Sequence, residues 1–258
     1  MIFTGFQYLK YKLTSRHKYG HGIHSPFVYD FIINVLRDKT FYKEYNIIMQ
    51  VISEVNKDRS LIRVSNLGSK KSDKHEKVCK ISKRISVNTK YGRLLLRLIR
   101  YYNLRNILEL GTGLGISTLY LMYANSSANI VSIEGHKEYF DYASKLLNLH
   151  KNNCNLFLIN KNIEIALSEI INNSIDFAFV DGNHTYHATM YYFEQLLKVK
   201  HSDSIFVFDD INWSNEMRAA WKAIVKHNEV KLSVELFRFG IVFFNENILQ
   251  KQHFVIRF

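Results

Sequence analysis

Along residues 106–227, short apolar runs alternate with stretches whose apolar residues recur every three to four positions, which predicts strands and helices in succession. Strands are expected near 107–110, 129–133, 155–159, 176–181 and 204–209, and amphipathic helices near 116–125, 137–151, 185–198 and 214–227. That alternation implies an α/β fold with a parallel sheet and crossover helices. Two β-rich runs, 232–237 and 241–244, are joined by a short link containing Gly240 and predict a closing antiparallel hairpin, with 253–258 as an edge strand. Upstream, residues 90–102 place Tyr91, Leu94, Leu95, Leu98, Ile99 and Tyr102 on one helical face, which would pack against the sheet. The first sixty residues show the same spacing in Phe27, Phe31 and Val35 and again in Tyr45, Ile48 and Ile52, which predicts two or three helices. Ser25 before Pro26, the only proline, reads as a helix cap and first turn. Residues 61–84 have weak periodicity and read as a linker or mobile loop.

A chain of 258 residues, 47% hydrophobic, can bury the core of one such domain with an N-terminal addition. No apolar run approaches the roughly 20 residues needed to span a bilayer, and no signal-peptide pattern opens the chain, so a cytoplasmic location is expected. Cys79 and Cys154 lack metal-ligand or redox spacing. The net charge of +12 is uneven: residues 1–105 hold 22 Lys and Arg against 7 Asp and Glu, and the remainder 13 against 16. Its densest run extends from Lys70 and Lys71 through Lys74, Lys77 and Lys80 to Lys83 and Arg84. Such a run either recognises phosphate, as RNA, nucleotide, anionic glycan or membrane surface, or is simply a solvated segment. Residues 3–18 alternate aromatics with Lys10, Lys12, Arg16 and Lys18, and read as packing on the core or lying on a membrane surface. His21 and His24 precede the Ser25 cap, as part of a helix entry or of a lid over a substrate pocket; a metal site would need a third ligand.

The chemistry concentrates in Glu109-x-Gly111-Thr112-Gly113-x-Gly115-x-Ser117, between the first predicted strand of the alternation and its helix. Alternate glycines let the chain turn sharply and let a ligand approach the main chain. The third glycine comes one residue earlier than in a dinucleotide fingerprint, and a carboxylate precedes the first. An acidic residue there suits a cationic ligand better than a pyrophosphate. Glu134, nineteen residues after Gly115 and followed by Gly135, ends the next strand, where a carboxylate can grip a ribose diol. This pattern resembles motif I of the class I S-adenosylmethionine-dependent methyltransferases, and the resemblance runs from about residue 86 to the C-terminus. It implies a Rossmann-like, mostly parallel seven-stranded sheet with a C-terminal antiparallel hairpin and an N-terminal helical extension. Residues 1–85 would form the extension and basic linker, a lid or substrate region, and 86–258 the cofactor-binding domain. The implied S-adenosylmethionine contacts are Val87, Glu109, Gly111, Thr112, Gly113, Gly115, Ser117, Glu134, Gly135 and Asp181. Lys161 and Asn162 fall where adenine is usually contacted.

Three predicted strand ends carry acids: Glu134, Asp181, and the pair Asp209 and Asp210. Asp181, Asp209 and Asp210 should converge with no basic residue nearby, so a hard cation such as Mg²⁺ is a candidate to neutralise them. The arrangement resembles metal-dependent O-methyltransferases of the catechol O-methyltransferase type, which implies those three aspartates as ligands. His184 stands where that family has a lysine base, and with Asp181 it is the candidate catalytic pair. The Asp-Gly-x-His-x-Tyr form is closer to bacterial enzymes acting on sugars and other small hydroxyl compounds. The expected activity is methylation of such a hydroxyl. The alternatives are an RNA methyltransferase that uses the basic N-terminal part and a non-catalytic binding protein on the same scaffold. Trp213 would wall the substrate site or pack beneath the last helix.

Overall fold

A computed structural model of the chain describes residues 2–64, 74–170 and 174–258. Helices α1 (Ile2–Thr14), α2 (Pro26–Phe31) and α3 (Glu44–Val55) form the N-terminal part, with α2 running on into a π-turn at Ile32–Leu36. Ser25 caps α2, and Pro26 occupies its first position. Strands β1 (Leu61–Val64) and β2 (Lys74–Lys77) pair antiparallel and lead into α4 (Val78–Ile85), where a linker was expected. The period is missing for a physical reason: Ile62 is the only buried residue of the two strands, and α4 buries just Val78, Ile81 and Ser82. Of the basic run, Lys70 and Lys71 lie outside the described residues, and Lys74 to Arg84 sit on β2 and α4.

Helix α5 (Thr89–Tyr101) starts at Asn88, whose side chain accepts from the Lys90 amide at 2.9 Å, and buries Leu94, Leu95, Leu98 and Ile99. The alternation then follows as β3 (Asn106–Leu110), α6 (Ile116–Ala124), β4 (Asn129–Glu134), α7 (Lys137–Leu149) and β5 (Asn155–Asn160). It continues with α8 (Ile163–Ile170), which the sequence reading lacked, then β6 (Phe177–Val180), α9 (Tyr186–Leu197), β7 (Ile205–Phe208) and α10 (Asn215–Lys226). Three final strands are β8 (Leu232–Glu235), β9 (Gly240–Phe243) and β10 (Gln252–Val255).

The main sheet has eight strands in the order β10-β8-β9-β7-β6-β3-β4-β5. Only β9 runs against its neighbours, pairing antiparallel with β7 and with β8, and β10 adds the edge strand beside β8. Strands β6 and β7 are buried along their whole length, as the central strands of a sheet covered on both faces must be. One face packs on the N-terminal helices: Phe31, Val35, Ile48 and Val51 share a core with Leu94, Leu98, Phe179 and Phe243. Strand order reverses between β3 and β6, so the carboxyl ends of these two strands open a crevice outside the sheet.

Candidate active site

That crevice is a cleft of about 560 Å³, within the usual range for a small-molecule site. Its floor is the loop after β3, where Gly111, Gly113 and Gly115 have φ of 104°, 55° and 87°. Gly111 is doubly constrained, because a Cβ there would lie 2.2 Å from the Asp181 carbonyl oxygen. Gly111→Ala is therefore expected to displace the β6 end and to destabilise the protein, a loss that a thermal-unfolding scan would register.

Glu109 lies beneath this loop rather than in the cleft. It is fully buried, and its Oε2 accepts from the hydroxyls of Thr118 and Ser132, both at 2.6 Å. Burial raises its pKa, against the lowering effect of the surrounding hydroxyls. Ser132 also bonds Thr112 at 2.6 Å, so Glu109 ties the loop to β4 and α6. Glu134 does face the cleft and helps shape the loop, accepting from the Gly113 amide at 2.8 Å and the His136 amide at 2.7 Å.

Among the expected cofactor contacts, Val87, Gly111, Thr112, Gly113, Ser117, Glu134, Gly135 and Asp181 line the cleft. Gly115 does not; it turns the chain into α6 with its back to Leu147 and Ala143. Asn162 lines the cleft while capping α8 through its Oδ1. Tyr139 and Ile85 join the lining without having been singled out. Trp213, 61% exposed, stands at the cleft as a wall and is not packed beneath α10. His21 and His24 are exposed and do not line the cleft.

At the far end His184 and Asp181 meet, with Nε2 3.5 Å from Oδ1. His184 sits just before α9, which Thr185 caps, and follows Asn183 in the left-handed region at φ 43°. Burial lowers the His184 pKa, with the Asp209 charge opposing and Arg238 assisting. The ring is therefore held neutral. Asp181 is pushed well above the ordinary carboxylate range, first by burial and then by Asp209.

The expectation of three aspartates without a counter-cation is overturned by Arg238. Its Nε and Nη2 reach the two Asp209 oxygens, each at 2.6 Å, and Nε lies 3.3 Å from Asp210. Asp209 is completely buried and is not part of the cleft lining. Burial alone would lower the Arg238 pKa, but the hydrogen bonds and charge of Asp209 raise it above its ordinary value. Asp210, at φ 52°, is pushed up to about 7 by burial and by Asp209. Among the described residues no group of three or more His, Cys, Asp or Glu is placed to hold a metal ion. The donor set does not fit a divalent ion, because the buried carboxylate at its centre is already neutralised by the Arg238 fork and also accepts from the Asp210 amide.

Arg238 lies in the turn between β8 and β9, which is locked from three sides. Tyr91 donates to the Leu236 carbonyl at 2.5 Å, Asn212 to the Phe237 carbonyl at 2.6 Å and the Ile211 amide to the Arg238 carbonyl at 3.1 Å. The available signal was a lone arginine in an otherwise apolar link, Leu236 to Phe239.

A family model described as a methyltransferase domain matches residues 108–211, from β3 to just beyond β7. No curated protein matches the chain. Among solved structures, the chain is similar to an O-methyltransferase from Bacillus cereus in complex with SAH, at 20% identity and a TM-score of 0.54, covering 79% of this chain and 91% of that one. It is also similar to the O-methyltransferase TomG from Streptomyces achromogenes, involved in tomaymycin synthesis and in complex with SAM, at 18% identity and 0.54, covering 84% and 95%. SAH-bound methyltransferase PaMTH1 from Podospora anserina gives 12% identity and 0.58, covering 86% and 97%. Residues 108–211 thus match a methyltransferase domain, and the flanking strands complete a sheet of the fold seen in these solved structures.

Proposed function

We propose that this protein transfers the methyl group of S-adenosylmethionine to a hydroxyl of a small or sugar-like acceptor. One observation supports it most: the glycine loop, Glu134 and His184 line a single cleft at the strand-order reversal. The open backbone of Gly111 to Gly113, the Glu134 carboxylate and the Asn162 side of the cleft suit a nucleoside. When bound, S-adenosylmethionine supplies a methyl group on a sulfonium and leaves as a neutral thioether. The chain's own task is alignment, exclusion of water and removal of the acceptor proton. His184, neutral and beside Asp181, accepts that proton on its ring. The imidazolium so formed lies 3.5 Å from Asp181 and opposes the burial that raises the pKa of that carboxyl. Arg238 holds the Asp209 charge in check, so the proton transfer does not occur beside an uncompensated buried anion.

Calorimetric titration with S-adenosylhomocysteine, with EDTA and with Mg²⁺, tests the reading together with labelled-methyl transfer to a panel of hydroxyl acceptors. Micromolar binding and turnover are expected, both unchanged by EDTA. Absence of nucleoside binding would remove the methyltransferase reading, and turnover that needs Mg²⁺ would remove the role given to Arg238. Transfer to RNA in place of small acceptors would shift the acceptor class. Arg84 at the cleft, with Lys77, Lys80 and Lys83 beside it in sequence, is the observation that favours that second reading.

A further inference from the structure

Helix α1 is buried on one side and apolar on the other. Tyr11 faces inward: its hydroxyl donates to the Ile256 carbonyl at 2.6 Å and accepts from the Phe258 amide at 2.8 Å. The rings of Tyr8 and Tyr11 pack on Phe237 with centroids 5.0 and 5.5 Å away. The opposite face presents Phe6, Leu9 and Leu13, which are 64%, 58% and 76% exposed. Spacings of three and four residues bring these three side chains into one stripe. Because Tyr11 and Tyr8 fix the helix by its other face, the stripe has no way to turn into the protein's own core.

Charge decides what covers it. Exposed Lys10 and Lys12 fall on either side of the stripe, and Arg16 and Lys18 follow it. No Asp or Glu occurs before Asp30. Lys12 lies over the Tyr8 ring at 4.8 Å and Lys18 over the Tyr19 ring at 5.0 Å, each of these aromatics being about half exposed. A symmetric contact with a second copy would bring these lysines face to face with their own kind. An apolar stripe edged by cations and amphipathic aromatics instead matches the boundary between acyl chains and acidic headgroups. We infer that α1 seats this protein on an anionic lipid surface, inserting Phe6, Leu9 and Leu13 and pairing Lys10 and Lys12 with headgroups. No helix among the described residues is long and apolar enough to cross a membrane. Phe237, which α1 touches, directly precedes Arg238 of the cleft, so the seat and the cleft share a support.

Sedimentation of the whole protein with vesicles tests this, comparing phosphatidylcholine alone with an equal mixture of phosphatidylcholine and phosphatidylglycerol. Binding is expected to the anionic vesicles only, and to weaken as salt is raised from about 0.1 M to 1 M. Leu9→Glu with Leu13→Glu, and separately Lys10→Glu with Lys12→Glu, should each lower the bound fraction by about tenfold or more at unchanged thermal midpoint, since all four side chains are exposed. Failure to bind anionic vesicles would overturn the proposal. So would equal binding to neutral vesicles that ignores the lysine variant. A concentration-dependent dimer, seen by light scattering and abolished by the leucine variant without any vesicle binding, would assign the stripe to a second copy instead.

Discussion

Replacing Arg238 with methionine is expected to lower folding stability by about 3–5 kcal/mol, the usual cost of leaving one partner of a buried ion pair alone. Asp209 is wholly buried and both its oxygens are taken by this one guanidinium, so no other cation can answer for it after the change. Lysine should rescue only part of the loss, because one ammonium cannot reproduce the fork. The double variant Arg238→Met with Asp209→Asn should recover much of it, since both charges leave together, and the coupling in that cycle measures the pair. The loss should also depend on pH. Burial and Asp209 raise Asp181 and Asp210, the latter to about 7, so the stability these protonated acids contribute is present at low pH and is lost as pH rises through that range. Arg238 lowers both pKa values. Without it they rise further, the folded variant binds extra protons near neutrality, and the penalty grows with pH. Urea unfolding at about pH 6 and pH 8 checks the sign. A penalty that is equal at both, or largest at the lower pH, would mean that the acidic cluster does not depend on this cation.

The central sheet could be read because its middle strands are short apolar runs: Phe177–Val180 and Ile205–Phe208 are apolar and buried at every position. The hairpin of β1 and β2 was not legible, since a pair of strands outside the main sheet with one buried side chain leaves no period to detect. The glycine loop and Glu134 lie close in sequence, and the pairing of β3 with β4 brings them together along the cleft. Even there, spacing gave identity without orientation: Glu109 fits the motif but turns under the loop to bond Thr118 and Ser132. The electrostatics at the other end were not legible at all. Asp209 and Arg238 are 29 residues apart, and nothing short of the β7 to β9 pairing brings the turn that carries Arg238 over the end of β7. A cluster of acids in sequence therefore looked cation-poor when its cation came from the last hairpin.

His184→Ala is expected to lower kcat by a factor on the order of 10²–10⁴ while leaving S-adenosylhomocysteine affinity unchanged, the mark of a group that acts on the proton and not on cofactor binding. His184 qualifies by position, at the cleft and 3.5 Å from Asp181, and by protonation state. Burial lowers its pKa, so the ring stays neutral below the ordinary histidine value of about 6.5. With the folded value below the unfolded one, stability falls as pH drops through that interval, and the rate should fall along the same limb because the protonated ring cannot accept a proton. Asp210 makes the contrast sharp. It lines the same cleft, and its pKa of about 7 would place the acid limb of an Asp210-dependent reaction higher than that of His184. A wild-type acid limb that lies below the ordinary histidine value and is abolished in His184→Ala identifies the histidine as the base. A rate already halved near pH 7, unchanged in position by the His184 variant and lost in Asp210→Asn, would move the base to the carboxylate and leave His184 as the group that orients Asp181.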